Sequence, residues 1–116
     1  MTYYIYIGSN HDIISPVMEA LAGNYRAYKD KTSLNQFIFQ YEMHYDPGKT
    51  AFRQLLMVIQ EHMAAHQNCT VEITHALSSN IEPYYVKDRS IISVDQLTAE
   101  HLMQLPEEQM IEVIKG

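Results

Sequence analysis

A single cysteine, Cys69, rules out an intramolecular disulfide and fits a reducing compartment. Glycine and proline are scarce, four of each, while 47% of the residues are hydrophobic. Those proportions exclude disorder for most of the chain. No run free of charge and strong polarity approaches the ~18 residues of a membrane span, so no membrane partner is expected. The stretch Met1-Thr2-Tyr3-Tyr4-Ile5 has no basic residue and no cleavable apolar run behind it. A signal peptide is therefore not expected, and the reading is a cytoplasmic protein. Internal repeats, low-complexity tracts and Pro-, Gly- or Ser-rich linkers are absent. So is a G-x-S-x-G elbow, and the lone cysteine lacks the flanks of an activated thiol. No catalytic motif is evident, and no cofactor is expected.

The 116 residues suit one domain, since domains cluster at about 100–150 residues. The net charge is −6. Residues 1–53 hold five acids and five bases, and residues 54–116 hold nine acids and three bases. An acidic second half argues against a nucleic-acid partner, which needs a basic face.

Tyr3-Tyr4-Ile5-Tyr6-Ile7 is aromatic and β-branched and stops at Gly8-Ser9-Asn10, as a strand before a turn does. Ser15-Pro16 reads as an N-cap with proline in the first turn of a helix from Val17 to Ala22, ended by Gly23. Residues 24–29 suit a helix or a strand. From 36 to 45, Phe37, Phe39, Tyr41, Met43 and Tyr45 alternate with Gln36, Ile38, Gln40, Glu42 and His44, a strand with one buried face. Asp46-Pro47-Gly48 then turns the chain, with Asp46 able to cap, into a helix from about Lys49 to Gln67. Its stripe is Phe52, Leu55, Leu56, Ile59 and Met63. After Asn68 the period returns to two through Cys69, Val71, Ile73 and His75.

Ser78-Ser79-Asn80 marks a turn. Tyr84–Lys87 and Ser90–Ser93 read as a hairpin turning at Asp88-Arg89. Ser93-Val94-Asp95-Gln96 fits a capping box for a helix that stops before Pro106. Gln109–Lys115 leans strand. The fold class is α+β: an antiparallel or mixed sheet with the 49–67 helix on one face. If 24–29 is a strand, residues 1–77 read β-α-β-β-α-β, the ferredoxin-like split βαβ order. Residues 83–116 then form an acidic C-terminal extension.

Several constellations carry chemistry. Gly48-Lys49-Thr50 follows a strand and opens a helix, as a phosphate-binding loop does, but Met43 stands where that loop needs its first glycine. A Pro-Gly turn explains it better. His62 and His66 lie four apart on one helix, a spacing that lets two imidazoles share a metal. The competing reading is a histidine pair set against a helix C-terminus. Gln40, Glu42 and His44 share a strand face, as do Thr70, Glu72 and Thr74. Joined by Tyr4 and Tyr6, they could form an open polar platform for a ligand or for acid–base chemistry, or a plain solvated face. The stretch Tyr25–Lys31 interleaves bases and aromatics, too small a patch to predict nucleic-acid binding. Met57 beside Val58 widens the apolar surface of the long helix and suggests cover by the tail or a second copy.

The function expected is a small binding or regulatory module acting through a protein partner or self-association. The alternatives are an enzyme or ligand-binding domain using Glu42, His44 and Glu72, and a metal-responsive protein using His62 and His66. No particular small-molecule ligand is indicated.

Overall fold

The computed structural model describes residues 2–24, 37, 39–44, 47–78 and 87–115. The protein is α+β. Six strands form one sheet in the order β2-β3-β1-β4-β6-β5: β1 (Thr2–Ser9), β2 (Ala22–Asn24), β3 (Phe39–Met43), β4 (Val71–Ser78), β5 (Asp88–Ser93) and β6 (Gln109–Ile114). Neighbours pair antiparallel except β5 and β6, which are parallel, so the sheet is mixed. Among the described residues three helices accompany it: α1 (Pro16–Leu21), α2 (Lys49–Ala65) and α3 (Ala99–Met103). No helix among the described residues is long and apolar enough to cross a membrane.

The helices share one face of the sheet. Ile5, Ile7, Tyr41, Met43, Val71, Ile73, Ile111 and Val113 turn toward it and join the α2 residues Phe52, Leu55, Ile59 and Met63 in a single core. Leu55, Ile59 and Met63 are fully buried at a helical spacing, so the period-3.6 stripe is what seats α2 on the sheet. Met18 and Leu21 of α1 and Leu102 of α3 close the core at its flanks. Cys69 is a small core residue, and burial pushes its thiol up.

In the N-terminal half the strand read over 36–45 is β3 alone, Phe39–Met43: Phe37 and His44 are not strand, and 36, 38 and 45 lie outside the described residues. Ser15 caps α1 by accepting the Met18 N–H at 3.3 Å, with Pro16 in the first turn. The helix stops one residue earlier than its Gly23 signal. Ala22 and Gly23 are strand instead, paired with Met43 and Glu42. Asn24 closes β2, and 25–29 lie outside the described residues. The α2 helix ends at Ala65, with His66 extended at its C-cap. Its N-cap is Gly48, which has no side chain to offer; Asp46, the expected cap, lies outside the described residues.

The C-terminal third departs in pairing. Asp88 and Arg89 are not a turn but the first residues of β5, which lies parallel to β6 rather than in a hairpin; 84–86 lie outside the described residues. Ser78 belongs to β4. Ser93 does not cap a helix: residues 94–96 form a turn, and the Ser93 hydroxyl accepts the Asp95 N–H within it. The capping box lies five residues on, where Thr98 and His101 bond reciprocally at the start of α3. Gln109–Ile114 is strand, and it enters the sheet beside β4, so this third supplies an inner strand of the same core.

Ile59 is wholly buried and Met57 is 58% exposed. Ile59→Ala is expected to cost about 2–5 kcal/mol in urea unfolding, and Met57→Ala to stay within about 0.5 kcal/mol.

Candidate functional site

Strand alternation and register put Tyr4, Tyr6, Gln40, Glu42, Glu72 and Thr74 on the face away from the helices. Tyr6 lies between Glu42 and Thr74, and Gly8 between Gln40 and Glu72. The sequence placed these residues together, and the register does so. The face is not open at its centre: Tyr6, Gln40, Glu72 and Thr74 are all buried. Glu42 is half-buried, and that burial pushes its carboxyl up while His44 draws it back. His44 itself is exposed past the end of β3, where its N–H bonds the Leu21 carbonyl. With Tyr4 it lines a cavity at the end of the sheet where β1 begins. Neither Glu42 nor Glu72 lines that cavity or the two at the other end of β1.

The denser constellation lies at the other end of β1. There the strand runs out at Ser9, and the following loop carries His11 and Asp12 past the C-terminal turns of α2. His11 meets the helix pair. Its ring stacks on His66 with centroids 4.2 Å apart and planes 9° apart. His62 and His66 touch edgewise at 5.0 Å, and His11 and His62 stand 6.5 Å apart. The three imidazoles wall a cavity of about 330 Å³ with Asp12, Ser15 and Glu61.

Hydrogen bonds hold the loop there. Asn10 clamps the turn after α2, donating to the Asn68 carbonyl at 2.7 Å and accepting the Thr70 N–H at 3.0 Å. His11 Nε2 lies 2.8 Å from the same carbonyl, so Nε2 carries the proton. Tyr41 donates its hydroxyl proton to Asp12 and accepts the Ile13 N–H. Lys115 reaches from the end of the chain to the His66 carbonyl at 2.7 Å, satisfying one of the carbonyls left open at a helix C-terminus.

His62 is the buried member. Its Nε2 lies 2.9 Å from the Ser9 hydroxyl, which also accepts the His11 N–H at 3.1 Å. Burial, then His66 and His11, push the His62 imidazole down to about 4, against a weaker opposing pull from Asp12. A Ser–His bond also activates nucleophiles, but Ser9 is 0% exposed, so its oxygen meets no substrate. Among the described residues, no three His, Cys, Asp or Glu side chains are set to hold a metal ion. The stack explains this at His11 and His66: a metal lies near the plane of each imidazole it binds, and two nearly parallel stacked planes share no such point.

Sequence spacing found His62 and His66 and missed His11, because no periodicity links a loop after one strand to a helix fifty residues on. Tyr3, His75 and Glu108, which meet near the other cavity, were missed for the same reason. The chain matches no protein-family model, and no curated protein or solved structure is significantly similar to it.

The depressed His62 value has a definite sign. The unfolded chain takes up this proton first as pH falls. The His62 contribution to stability is whole above about 6.5, declines toward about 4 and levels off below. Urea midpoints are expected to fall between pH 7 and 5.5, and His62→Gln, which can still bond Ser9, to flatten that slope.

Proposed function

We propose that the chain is a small binding or regulatory module that acts by self-association, a second copy pairing edge to edge along β5. The observation behind this is the state of that edge. Asp88, Arg89, Ser90 and Ile91 are exposed, Ile91 at 66%. Among the described residues β5 pairs with β6 alone, whereas the opposite edge strand, β2, is three residues long. A six-residue edge with a bare isoleucine is a template for another strand.

Self-complementarity selects the partner. An antiparallel two-fold with Ser90 opposite its own copy sets Arg89 of each chain beside Ile91 of the other. The arginine stem then covers the isoleucine. Its charge comes near Glu112, which neighbours Ile91 across the β5–β6 ladder. Lys87 and Arg89 also offset the acidity that would otherwise hold two chains of net charge −6 apart.

Other features fit this reading. The order β2-β3-β1-β4, antiparallel throughout, is what a split βαβ arrangement requires, and it supports taking the first four strands as that unit. The single cysteine supports work in the cytoplasm. The enzyme reading on Glu42, His44 and Glu72 has less behind it, because Glu72 is buried and His44 serves a separate cavity.

The metal-responsive reading gains one observation, the arrival of His11. A ring whose Nε2–H is held by a backbone carbonyl is oriented as metal-ligating histidines are, with Nδ1 left to accept. This reading needs His66 to turn off the stack.

Light scattering on the full chain is expected to give a dimer, and Ile91→Lys a monomer with unchanged circular dichroism; a monomer at every concentration removes the self-association reading. Zinc chloride is expected to raise the Tm only if the histidine site opens, and the rise should vanish in His11→Ala. A Tm indifferent to zinc and nickel removes the metal reading.

A further inference from the structure

The cavity where β1 begins lies at the opposite end of that strand from the histidine cluster and has a chemistry of its own. It encloses about 210 Å³, less than the ~300–1,000 Å³ of sites for drug-sized ligands, so its occupant is a small group. Five of its lining residues are aromatic: Tyr3, Tyr4, His44, Phe52 and His75; Tyr3, Phe52 and His75 face it from the helix side of the sheet. Among the described residues, no lysine or arginine lines it.

The rings are braced. His75 Nδ1 donates to the Leu105 carbonyl at 2.9 Å, which leaves Nε2 as the acceptor of the neutral ring. Tyr3 packs edge to face against His75, with centroids 5.6 Å apart and planes at 76°. The Tyr3 hydroxyl points to the Glu108 carboxylate at 3.4 Å. Burial, then the negative charges of Glu107 and Glu108, push the Tyr3 phenol up, so negative potential reaches this wall.

Glu108 stands out on independent grounds. Its φ is 65°, the one positive φ at a non-glycine residue among those described. A left-handed glutamate is a strained choice where glycine would sit freely. The surroundings hold it: its N–H donates to the His75 carbonyl at 2.7 Å, and its carbonyl accepts the Lys87 N–H at 2.6 Å. Strained residues of this kind cluster at binding and catalytic sites. Here the strained residue supplies a carboxylate beside a ring of the cavity.

Aromatic walls, an adjacent carboxylate and, among the described residues, no lining lysine or arginine are elements that recognise alkylammonium groups, whose diffuse charge is drawn to ring quadrupoles and whose methyls are drawn to apolar walls. We propose that this cavity binds a small alkylammonium headgroup, with Tyr3, Phe52 and His75 as the cage and the Glu108 carboxylate, which stands behind Tyr3 and not in the cavity wall, as a nearby counter-charge. The headgroup could come from a free quaternary amine or from a methylated lysine of a peptide.

Calorimetric titration of the full chain with choline chloride tests this against 3,3-dimethylbutan-1-ol, which has the same shape without the charge. Choline is expected to bind about tenfold or more tighter than the alcohol, as a cation–π contribution implies. Glu108→Gln should weaken choline about fivefold while leaving circular dichroism unchanged, and Tyr3→Leu should weaken it at least as much. Should Tyr3→Leu fail to fold, Tyr3→Phe serves as a second variant: it keeps the ring and should retain choline binding. Equal affinity for choline and the alcohol would show a merely apolar cavity and overturn the proposal, as would no binding of either. A trimethyllysine peptide, run beside its unmodified form, separates the sources. Tighter binding of that peptide than of choline places the headgroup on a protein, and the reverse places it on a free amine.

Discussion

Strand β1 has a hydrogen-bonded neighbour along each edge, β3 on one side and β4 on the other, and the first four strands are joined through that double pairing. Ile5 and Ile7 share their core with Leu55, Ile59 and Met63 of α2, so strand and helix bury one another's apolar faces. At one end of β1, Ser9, Asn10 and His11 meet the last turns of α2 and the turn after it. At the other, Tyr3 and Tyr4 line a cavity with Phe52 from the first turn of the same helix. One strand and one helix therefore carry both constellations.

The face away from the helices differs from an ordinary solvated sheet surface. Glu72, Gln40 and Thr74 are buried there, and desolvating such groups is unfavourable unless they are hydrogen-bonded. Glu72 lies directly across the β4–β6 ladder from Glu112, a pairing that like charges disfavour. The Thr74 hydroxyl finds no hydrogen-bond partner among the described residues. Gln40 offsets its burial by donating its amide N–H to the Phe37 carbonyl at 3.0 Å. The alternation that made this face look open in sequence is real in the register, but it reports polarity, and burial depends on what lies over the sheet.

Local signals were legible where local physics decides. Tyr3–Ile7 is strand because β-branched and aromatic side chains suit a pleated surface. Ser15 caps α1 because its oxygen lies within reach of the Met18 N–H whatever the rest of the chain does. The α2 stripe was readable because one apolar row on a 3.6 period has one way to be buried. Where two local structures satisfy the same residues, neighbouring residues could not choose between them. Ser93 can cap a helix or close a turn, and it closes a turn. Asp88-Arg89 can turn a hairpin or begin a strand, and the choice fell to β6, a strand twenty residues further on.

The division follows the range of the forces involved. Composition and short-range spacing determined an acidic α+β chain without disulfides, the position of α2, the faces of β1 and β4, and the facing of His62 with His66. Tertiary structure decided which strands are neighbours, that the polar face is buried at its centre, that His11 joins the helix histidines, and that Tyr3, His75 and Glu108 meet beside a cavity. Each of these joins residues far apart in the chain. Such contacts form only when loop closure is offset by burial of many groups at once, and that sum belongs to the whole fold and to no single segment.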